Sequence, residues 1–270
     1  MAHSRARMVV LVRGPGYNYT RFHWYDQFCT NHRCVGDPGA CCTSCKHIAS
    51  GPHVYFLHVE KTGGSSVECA TQKLVRAGMW TNMGHGSIRD ARHCLAQHCP
   101  PGNITKNVTQ NVTVTTIRNP YSYWQSLFYY MRTEARKGHY GAVKAPAGLA
   151  HFGASNHVAN WTAEDFNTLI RWANESRSGI GPTLRLTPKL SRACGSPCKA
   201  DVVLRGENLQ DDLEPVWSLL GVRRITLPHE NTMSASDKDP PVQWDADALD
   251  RVWWMERSIF QQFNYTRRTY

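Results

Sequence analysis

The clearest pattern in the chain is a short apolar run followed by a turn and an amphipathic segment. Residues 53–59 are apolar, aromatic or β-branched apart from two histidines, which is typical of a strand buried on both faces. A glycine pair then predicts a turn, and the serine pair after it can cap a helix over residues 66–77. Strand, glycine turn and helix together predict the first unit of a doubly wound α/β sheet.

The same pattern returns further along the chain. Residues 111–117 are β-branched and predict a strand, Pro120 ends it, and a helix is expected over 122–138. The later elements predicted are a helix over 163–173, a strand within 201–209, a helix near 209–220, a strand over 223–227 and a helix from Asp245 to about 262. We therefore expect one α/β domain over residues 51–270, with a parallel sheet flanked by helices.

Cysteines set residues 1–50 apart from this domain. The chain has ten cysteines, and five of them lie in the first 45 residues, in a stretch without hydrophobic periodicity. An even count in tight clusters favours disulfides, including the short pairs Cys94/Cys99 and Cys194/Cys198. Zinc stays open as an alternative, because Cys42 and Cys45 lie near two histidines, although the second half of a usual zinc motif is missing. The extension is expected to be irregular and cross-linked.

Glycosylation motifs favour the same oxidising compartment. Asn-x-Ser/Thr occurs seven times, at Asn18, Asn103, Asn107, Asn111, Asn160, Asn174 and Asn264. No apolar run is long enough for a membrane-spanning helix, and the apolar residues 8–12 are too few for a signal peptide. The expected location is the Golgi lumen or the secretory pathway, with no signal or anchor visible in this chain.

Charge adds a weak preference for an anionic partner. Lysine and arginine number 31 against 21 acidic residues, so the net charge is +10. This excess is typical of proteins that bind a phosphate-bearing cofactor, an acidic glycan or a nucleic acid, and it also agrees with simple solubility. No nucleic-acid-binding motif accompanies it, so we expect no nucleic-acid partner.

Two segments carry candidate chemistry, and the first is HVEKTGGSS (58–66). A strand that leads into a glycine loop and a helix N-terminus forms an anion cradle, and Lys61 precedes the glycines, where its ammonium can reach a phosphate. The segment is neither a Walker A loop, in which lysine follows the last glycine, nor a G-x-G-x-x-G fingerprint. The alternative is that the glycine pair only turns the chain.

The second segment is TIRNPYSYWQS (116–126). Arg118 leaves a strand end and Ser126 follows eight residues later on the next helix, so both can converge on one phosphate. The alternative is that Arg118 pairs with a carboxylate and Ser126 only packs. Two anion sites at two parallel-strand ends predict a ligand with two separated phosphate groups.

These segments resemble a known family. FLHVEKTGGSSVE is similar to the 5′-phosphosulfate loop of the Golgi carbohydrate sulfotransferases of the heparan sulfate 2-O and 6-O type, although Glu60 stands where proline is commoner. TTIRNPYSYWQSLFYY resembles their 3′-phosphate segment, and VVLRGENLQDDL and LPHENTMSAS resemble later segments. The likeness covers most of residues 53–265. It implies the P-loop-like sulfotransferase fold and transfer of a sulfuryl group from 3′-phosphoadenosine 5′-phosphosulfate (PAPS), without a metal, to a hydroxyl or amine of a glycan.

The resemblance also implies residue roles. Lys61 would stabilise charge on the oxygen that bridges sulfur and the 5′-phosphate, which Thr62, Gly63, Gly64, Ser65 and Ser66 would hold. Arg118 and Ser126 would hold the 3′-phosphate. His85 lies at the position expected for the base, with Asp90 to orient it or to bind the acceptor, and Glu68 or His58 as substitutes.

Two other functions stay open at this point. One is a P-loop kinase or NTPase, which the position of the lysine disfavours. The other is a catalytically silent relative that binds a nucleotide or a glycan. The acceptor is expected to be a glycan, with acidic glycans included, and a glycolipid or a tyrosine-bearing protein stays open.

Overall fold

A computed structural model of the chain describes residues 51–83, 108–136, 157–176, 180–228 and 241–269. The predicted extension over residues 1–50 lies outside these ranges. The described residues form a mixed α/β structure in which helices flank a four-stranded parallel sheet. The predicted fold class is confirmed at this level.

The sheet is built around the first strand of the sequence. Its strands are β1 (Gly51–Leu57), β2 (Trp80–Asn82), β3 (Val108–Ile117) and β4 (Val202–Arg205), in the order β2-β1-β3-β4. Every neighbouring pair is parallel. The chain leaves β1 for β2 on one side and then crosses to β3 on the other, which makes a topological switch point between β1 and β3. Ligands of open parallel sheets bind beyond the carboxyl ends of the strands at such a point.

Ten helices surround the sheet in the described part of the chain. They are α1 (Gly64–Ala70), α2 (Gln72–Arg76), α3 (Pro120–Arg136), α4 (Ala163–Glu175), α5 (Ile180–Leu184), α6 (Leu186–Cys194), α7 (Leu209–Asp212), α8 (Glu214–Leu219), α9 (Ala246–Met255) and α10 (Arg257–Phe263). Thr162 and Asp165 form a capping box at the start of α4, and Asp245 caps α9 by accepting from the Ala248 N–H. None of these helices is both long enough and apolar enough to cross a membrane.

Alternating side chains of β1 supply cores on both faces of the sheet. Val54 and Phe56 pack on one face with Trp80 and the helix α8, whereas Tyr55 and Leu57 pack on the other with α3 and α4. Burial on both faces is why this strand is a continuous apolar run. Packed cores therefore cover both faces of the sheet, and the loops at its carboxyl edge lie outside them.

Three predicted helices each consist of two shorter ones. The helix expected over 66–77 is interrupted at Thr71, whose hydroxyl donates to the Val67 carbonyl at 2.8 Å. The helix expected over 209–220 is interrupted at Leu213, just before Pro215. The last helix is interrupted at Glu256, whose buried carboxylate accepts from the N–H groups that begin α6.

The strand predicted over 223–227 is wrong, and β2 was not predicted. The backbone of this segment bonds to the Gln210 side chain and not to a neighbouring strand. Gln210 donates to the Ile225 carbonyl at 2.9 Å and accepts from the Leu227 N–H at 2.8 Å. β2 has three residues, too few to show a period, and its place depends on pairing with β1.

The predicted Cys194–Cys198 disulfide is present. Cys69 is also disulfide-bonded, to a residue outside the described ranges. The cysteine pair 94/99 and the alternative zinc ligands lie outside the described residues.

Candidate active site

A cleft of about 790 Å³ opens at the carboxyl edge of the sheet. The loops that follow β1, β3 and β4 all line it, because parallel strands end at the same edge. Every predicted donor-binding residue is on its wall: Lys61, Thr62, Gly63, Gly64, Ser65, Ser66, Arg118 and Ser126. The structure therefore brings the two predicted anion segments into one site.

A buried threonine anchors the loop after β1 to the sheet. The Thr62 hydroxyl donates to the Val59 carbonyl at 2.6 Å and lies 2.6 Å from the Thr116 hydroxyl on β3. This side chain is directed into the protein, so a ligand in the cleft would meet the backbone of Thr62 and not its hydroxyl. Lys61 and Gly63 adopt left-handed backbone conformations, with φ of 62° and 95°.

Glycines allow the loops to close on one another. A Cβ on Gly63 would lie 2.4 Å from Leu209 Cδ1, and one on Gly64 would lie 2.2 Å from the His58 ring. A Cβ on Gly206, just after β4, would lie 2.8 Å from the Thr62 carbonyl oxygen. The glycine pair therefore does more than turn the chain, because side chains and backbone of other segments pack directly against it.

The Lys61 ammonium is held by an aromatic face. Its Nζ lies 3.6 Å from the centroid of the Tyr130 ring on α3, a cation–π contact. Burial, and next the positive charge of Arg118, lower the pKa of Lys61 to about 8. No described carboxylate forms an ion pair with it, since the adjacent Glu60 pairs with Lys189 of α6. The lysine is therefore charged below about pH 8, and none of the carboxylates in the described ranges pairs with it directly.

Arg118 connects the second strand end to the first. Its Nη1 donates to the Lys61 carbonyl at 3.3 Å. Burial lowers the pKa of this guanidinium, and the charge of Glu207 opposes that shift. Glu207 is itself fixed, because it accepts from the Asn119 N–H at 2.7 Å and from the Tyr265 hydroxyl at 3.1 Å. The guanidinium thus stands at the cleft with one direct backbone partner and a nearby carboxylate.

One face of α3 forms a polar wall. Ser122, Gln125, Ser126 and Tyr129 all line the cleft, at the spacing that places residues on one side of a helix. The sequence prediction included only Ser126. The helical spacing of the other three was visible in the sequence and could have identified them.

Three later segments, including the start of α7, form the opposite wall, and the predicted site did not include them. The wall is made by residues 206–210, 226–228 and 241–242. Two side chains fix this wall: Gln210 bonds the segment at 225–227, and the Tyr129 hydroxyl accepts from the Val242 N–H at 2.8 Å. Most of these residues lie in loops without hydrophobic periodicity. The resemblance of VVLRGENLQDDL and LPHENTMSAS to the family was the one sequence signal for two of the segments.

A histidine–carboxylate pair lies beside the glycine loop. His58 lines the cleft, and its Nδ1 is 3.1 Å from the Glu68 carboxylate. His85 and Asp90, the predicted base and its partner, lie outside the described residues. In the described ranges, no three His, Cys, Asp or Glu side chains are grouped so that they could hold a metal ion.

Comparisons of the chain with protein-family models and with curated proteins find no match. Function must therefore be inferred from the cleft and from the sequence motifs that line it.

Proposed function

We propose that the protein is a sulfotransferase that moves the sulfuryl group of PAPS to a hydroxyl or amine of a glycan. One observation carries the proposal: the lysine loop after β1 and the arginine after β3 open into the same cleft, with Arg118 in contact with the Lys61 backbone. A ligand with two anionic ends would meet a cation at each strand end.

The described residues suit such a donor. The loop from Thr62 to Ser66 would hold the 5′-phosphate through backbone N–H groups and the two serine hydroxyls, where the glycines leave no Cβ in the way. Arg118 and Ser126 would hold the 3′-phosphate; a guanidinium can bind two phosphate oxygens at once. Leu209, Leu227 and Val242 on the opposite wall offer apolar contacts to the nucleoside.

The reaction would need positioning and charge stabilisation more than covalent work. A bond forms between the acceptor oxygen or nitrogen and sulfur, and the bond from sulfur to the 5′-phosphate oxygen breaks. Adenosine 3′,5′-bisphosphate leaves with that electron pair. The charged Lys61 ammonium would stabilise the negative charge that develops on the leaving oxygen, and a base would take the acceptor proton.

The base is assigned to His85 by the resemblance alone. Among the described residues, His58 is the available substitute, because it lines the cleft and its pairing with Glu68 fixes the ring orientation. Comparison of His85→Ala with His58→Ala would decide between them.

The proposal also covers the fold family and the cellular location of the protein. We propose the sulfotransferase version of the P-loop-like sheet and a Golgi-lumenal or secretory location. The Cys194–Cys198 disulfide and the exposed sequon residues Asn160 and Asn264 support the location.

Transfer of radiolabelled sulfate from PAPS to a panel of desulfated polysaccharides tests the proposal. Wild-type protein should label at least one polysaccharide, and Lys61→Ala should abolish labelling, whereas Lys199→Ala, an exposed lysine outside the cleft, should not. EDTA should not reduce labelling. Absence of transfer together with absence of PAPS binding would overturn the proposal, and a Mg²⁺-dependent phosphoryl transfer from ATP would favour the kinase alternative.

A further inference from the structure

Glu60 poses a problem for a donor site. Its carboxylate is adjacent to Lys61, at the position where the family that the sequence resembles commonly has proline. A negative charge next to a phosphosulfate site repels an anionic ligand, and Glu60 is close enough to Lys61 to raise its pKa. The chain therefore needs either to lose this charge or to neutralise it.

Neutralisation comes from a residue 129 positions away. The Lys189 ammonium, in the middle of α6, forms a hydrogen-bonded ion pair with the Glu60 carboxylate. The Lys189 side chain is 16% exposed and lies over the Tyr123 ring, with its Nζ 5.7 Å from the ring centroid. Lys189 is thus more shielded than the lysines of ordinary surface ion pairs, whereas the Glu60 side chain is 46% exposed, so solvent screens the pair in part.

The helix that carries Lys189 is fixed at both ends. The buried Glu256 carboxylate accepts from the Leu186 and Thr187 N–H groups at 2.8 and 2.7 Å, at the start of α6. The Cys194–Cys198 disulfide closes its other end. Lys189 is therefore presented to Glu60 by a rigid element and not by a flexible loop.

We propose that Lys189 is a positioning residue for the donor site, whose role is to neutralise Glu60 so that the glycine loop presents only the charge of Lys61 to an anionic ligand. This inference rests on the proposed function. It assigns Lys189, a residue outside the cleft wall, to the anion-binding machinery.

Lys61 faces charged groups from four directions, and two of them are this pair. Arg118, just after β3, and Lys189 from α6 lower its pKa, whereas Glu60 on its own loop and Glu134 from α3 raise it. Removal of Lys189 takes away the ion-pair partner of Glu60, so the pKa of Lys61 should rise and anion binding should weaken. Removal of Glu60 leaves the positive charge of Lys189 without its partner, so the pKa of Lys61 should fall and anion binding should strengthen.

Binding of adenosine 3′,5′-bisphosphate, measured by calorimetry at low ionic strength, tests the inference in four variants. Lys189→Met should weaken binding about threefold to tenfold. Lys189→Arg keeps the charge and should bind like wild type. The double variant Glu60→Gln with Lys189→Met should recover wild-type affinity, because it removes both charges. Arg192→Met, which removes an exposed charge one turn further along α6, is the matched control and should have no effect.

A second measurement separates electrostatic positioning from a merely structural role. The rate at which acetic anhydride modifies Lys61, followed by mass spectrometry over pH 6–10, gives its pKa in each variant. Glu60→Gln and Lys189→Met should move this pKa in opposite directions, which a loss of packing would not do.

The outcomes are distinct. If wild-type protein binds the bisphosphate but Lys189→Met binds it equally well, or if the double variant stays as weak as Lys189→Met, the inference is overturned and the proposed function stands. If wild-type protein does not bind the bisphosphate at all, the proposed function itself is overturned.

Discussion

At the scale of single residues, the most informative group is the Lys61 ammonium. Its pKa of about 8 lies near physiological pH, because burial and Arg118 disfavour the charged form. Stabilisation of a leaving oxygen requires the charged form. Sulfuryl transfer by the free enzyme should therefore fall as pH rises through about 8, and a pH profile of kcat/KM measures this. A profile that stays flat up to pH 10 would show that this lysine does not carry the step.

Tyr130 should matter through its ring and not through its hydroxyl. The ring face lies 3.6 Å from Nζ and stabilises the ammonium without a carboxylate that would compete for it. Tyr130→Phe should keep activity, whereas Tyr130→Leu should lose about 0.5–2 kcal/mol of transition-state stabilisation. It should also move the alkaline limb of the pH profile to lower pH, because the charged lysine loses its support. Equal activities of the two variants would contradict this role.

Residue patterns predicted which strand ends line the cleft, but not the contacts around them. Lys61 and Arg118 were identified because each follows a strand that its own composition reveals. The Tyr130 contact was hidden, since an aromatic residue on a helix is more commonly part of the core. Lys189 could not be assigned from the sequence, because nothing local connects it to Glu60.

At the scale of elements, β1 depends on a buried histidine. His53 donates from Nδ1 to the Gly78 carbonyl and accepts at Nε2 from the Thr81 hydroxyl, both at 2.9 Å, so it joins β1 to the β2 segment. Burial lowers its pKa to about 4.

The free energy of unfolding should depend on pH through this residue. Between pH 4 and 6.5 the unfolded chain binds the proton and the folded chain does not, so stability is complete above 6.5 and is lost as pH falls toward 4. The loss should approach about 3 kcal/mol. Urea unfolding at pH 4.5 and 7 should show a smaller difference for His53→Gln than for wild type. An identical difference would assign the acid sensitivity to other groups.

Gly206, just after β4, should not tolerate a larger side chain. A Cβ there would meet the Thr62 and Ile117 carbonyl oxygens at 2.8 and 3.2 Å, and both belong to backbone that cannot rotate away. Gly206→Ala should cost about 1–3 kcal/mol and should disturb the loops on two neighbouring strands. Thermal unfolding together with nucleotide binding measures both effects. Unchanged affinity would show that the loops adjust independently.

Helices and strands were predicted correctly where local composition determines their bounds. The predictions failed where a contact with a distant residue determines those bounds. β1, β3 and α4 carry their own signals and were predicted within a few residues. The breaks at Thr71 and Glu256, by contrast, depend on hydrogen bonds that periodicity does not encode. The segment at 223–227 has the composition of a strand but bonds to the Gln210 side chain instead.

At the scale of the whole molecule, cysteine chemistry tests the proposed compartment. Cys69, Cys194 and Cys198 are all disulfide-bonded, and the even count of ten permits complete pairing. Mass spectrometry after alkylation without reductant should find few modified cysteines. Ten alkylated cysteines would contradict a lumenal location.

The arrangement of the whole sheet explains why the two motifs meet. β1 and β3 are adjacent and parallel although residues 58–107, including β2, lie between them in the sequence. Their carboxyl ends share the switch point of the sheet. The order of motifs in the sequence already implied neighbouring strand ends. It did not imply the third loop after β4 that closes the cleft.

The central claim is that one nucleotide with two anionic ends bridges these strand ends. Calorimetric titration of wild-type protein and Arg118→Met with adenosine 3′,5′-bisphosphate and with adenosine 5′-phosphate tests it most directly. Wild-type protein should bind the bisphosphate more tightly than the monophosphate, and Arg118→Met should erase that preference while it still binds the monophosphate. A wild-type protein that does not distinguish the two nucleotides, or an Arg118→Met variant that keeps the preference, would contradict the claim.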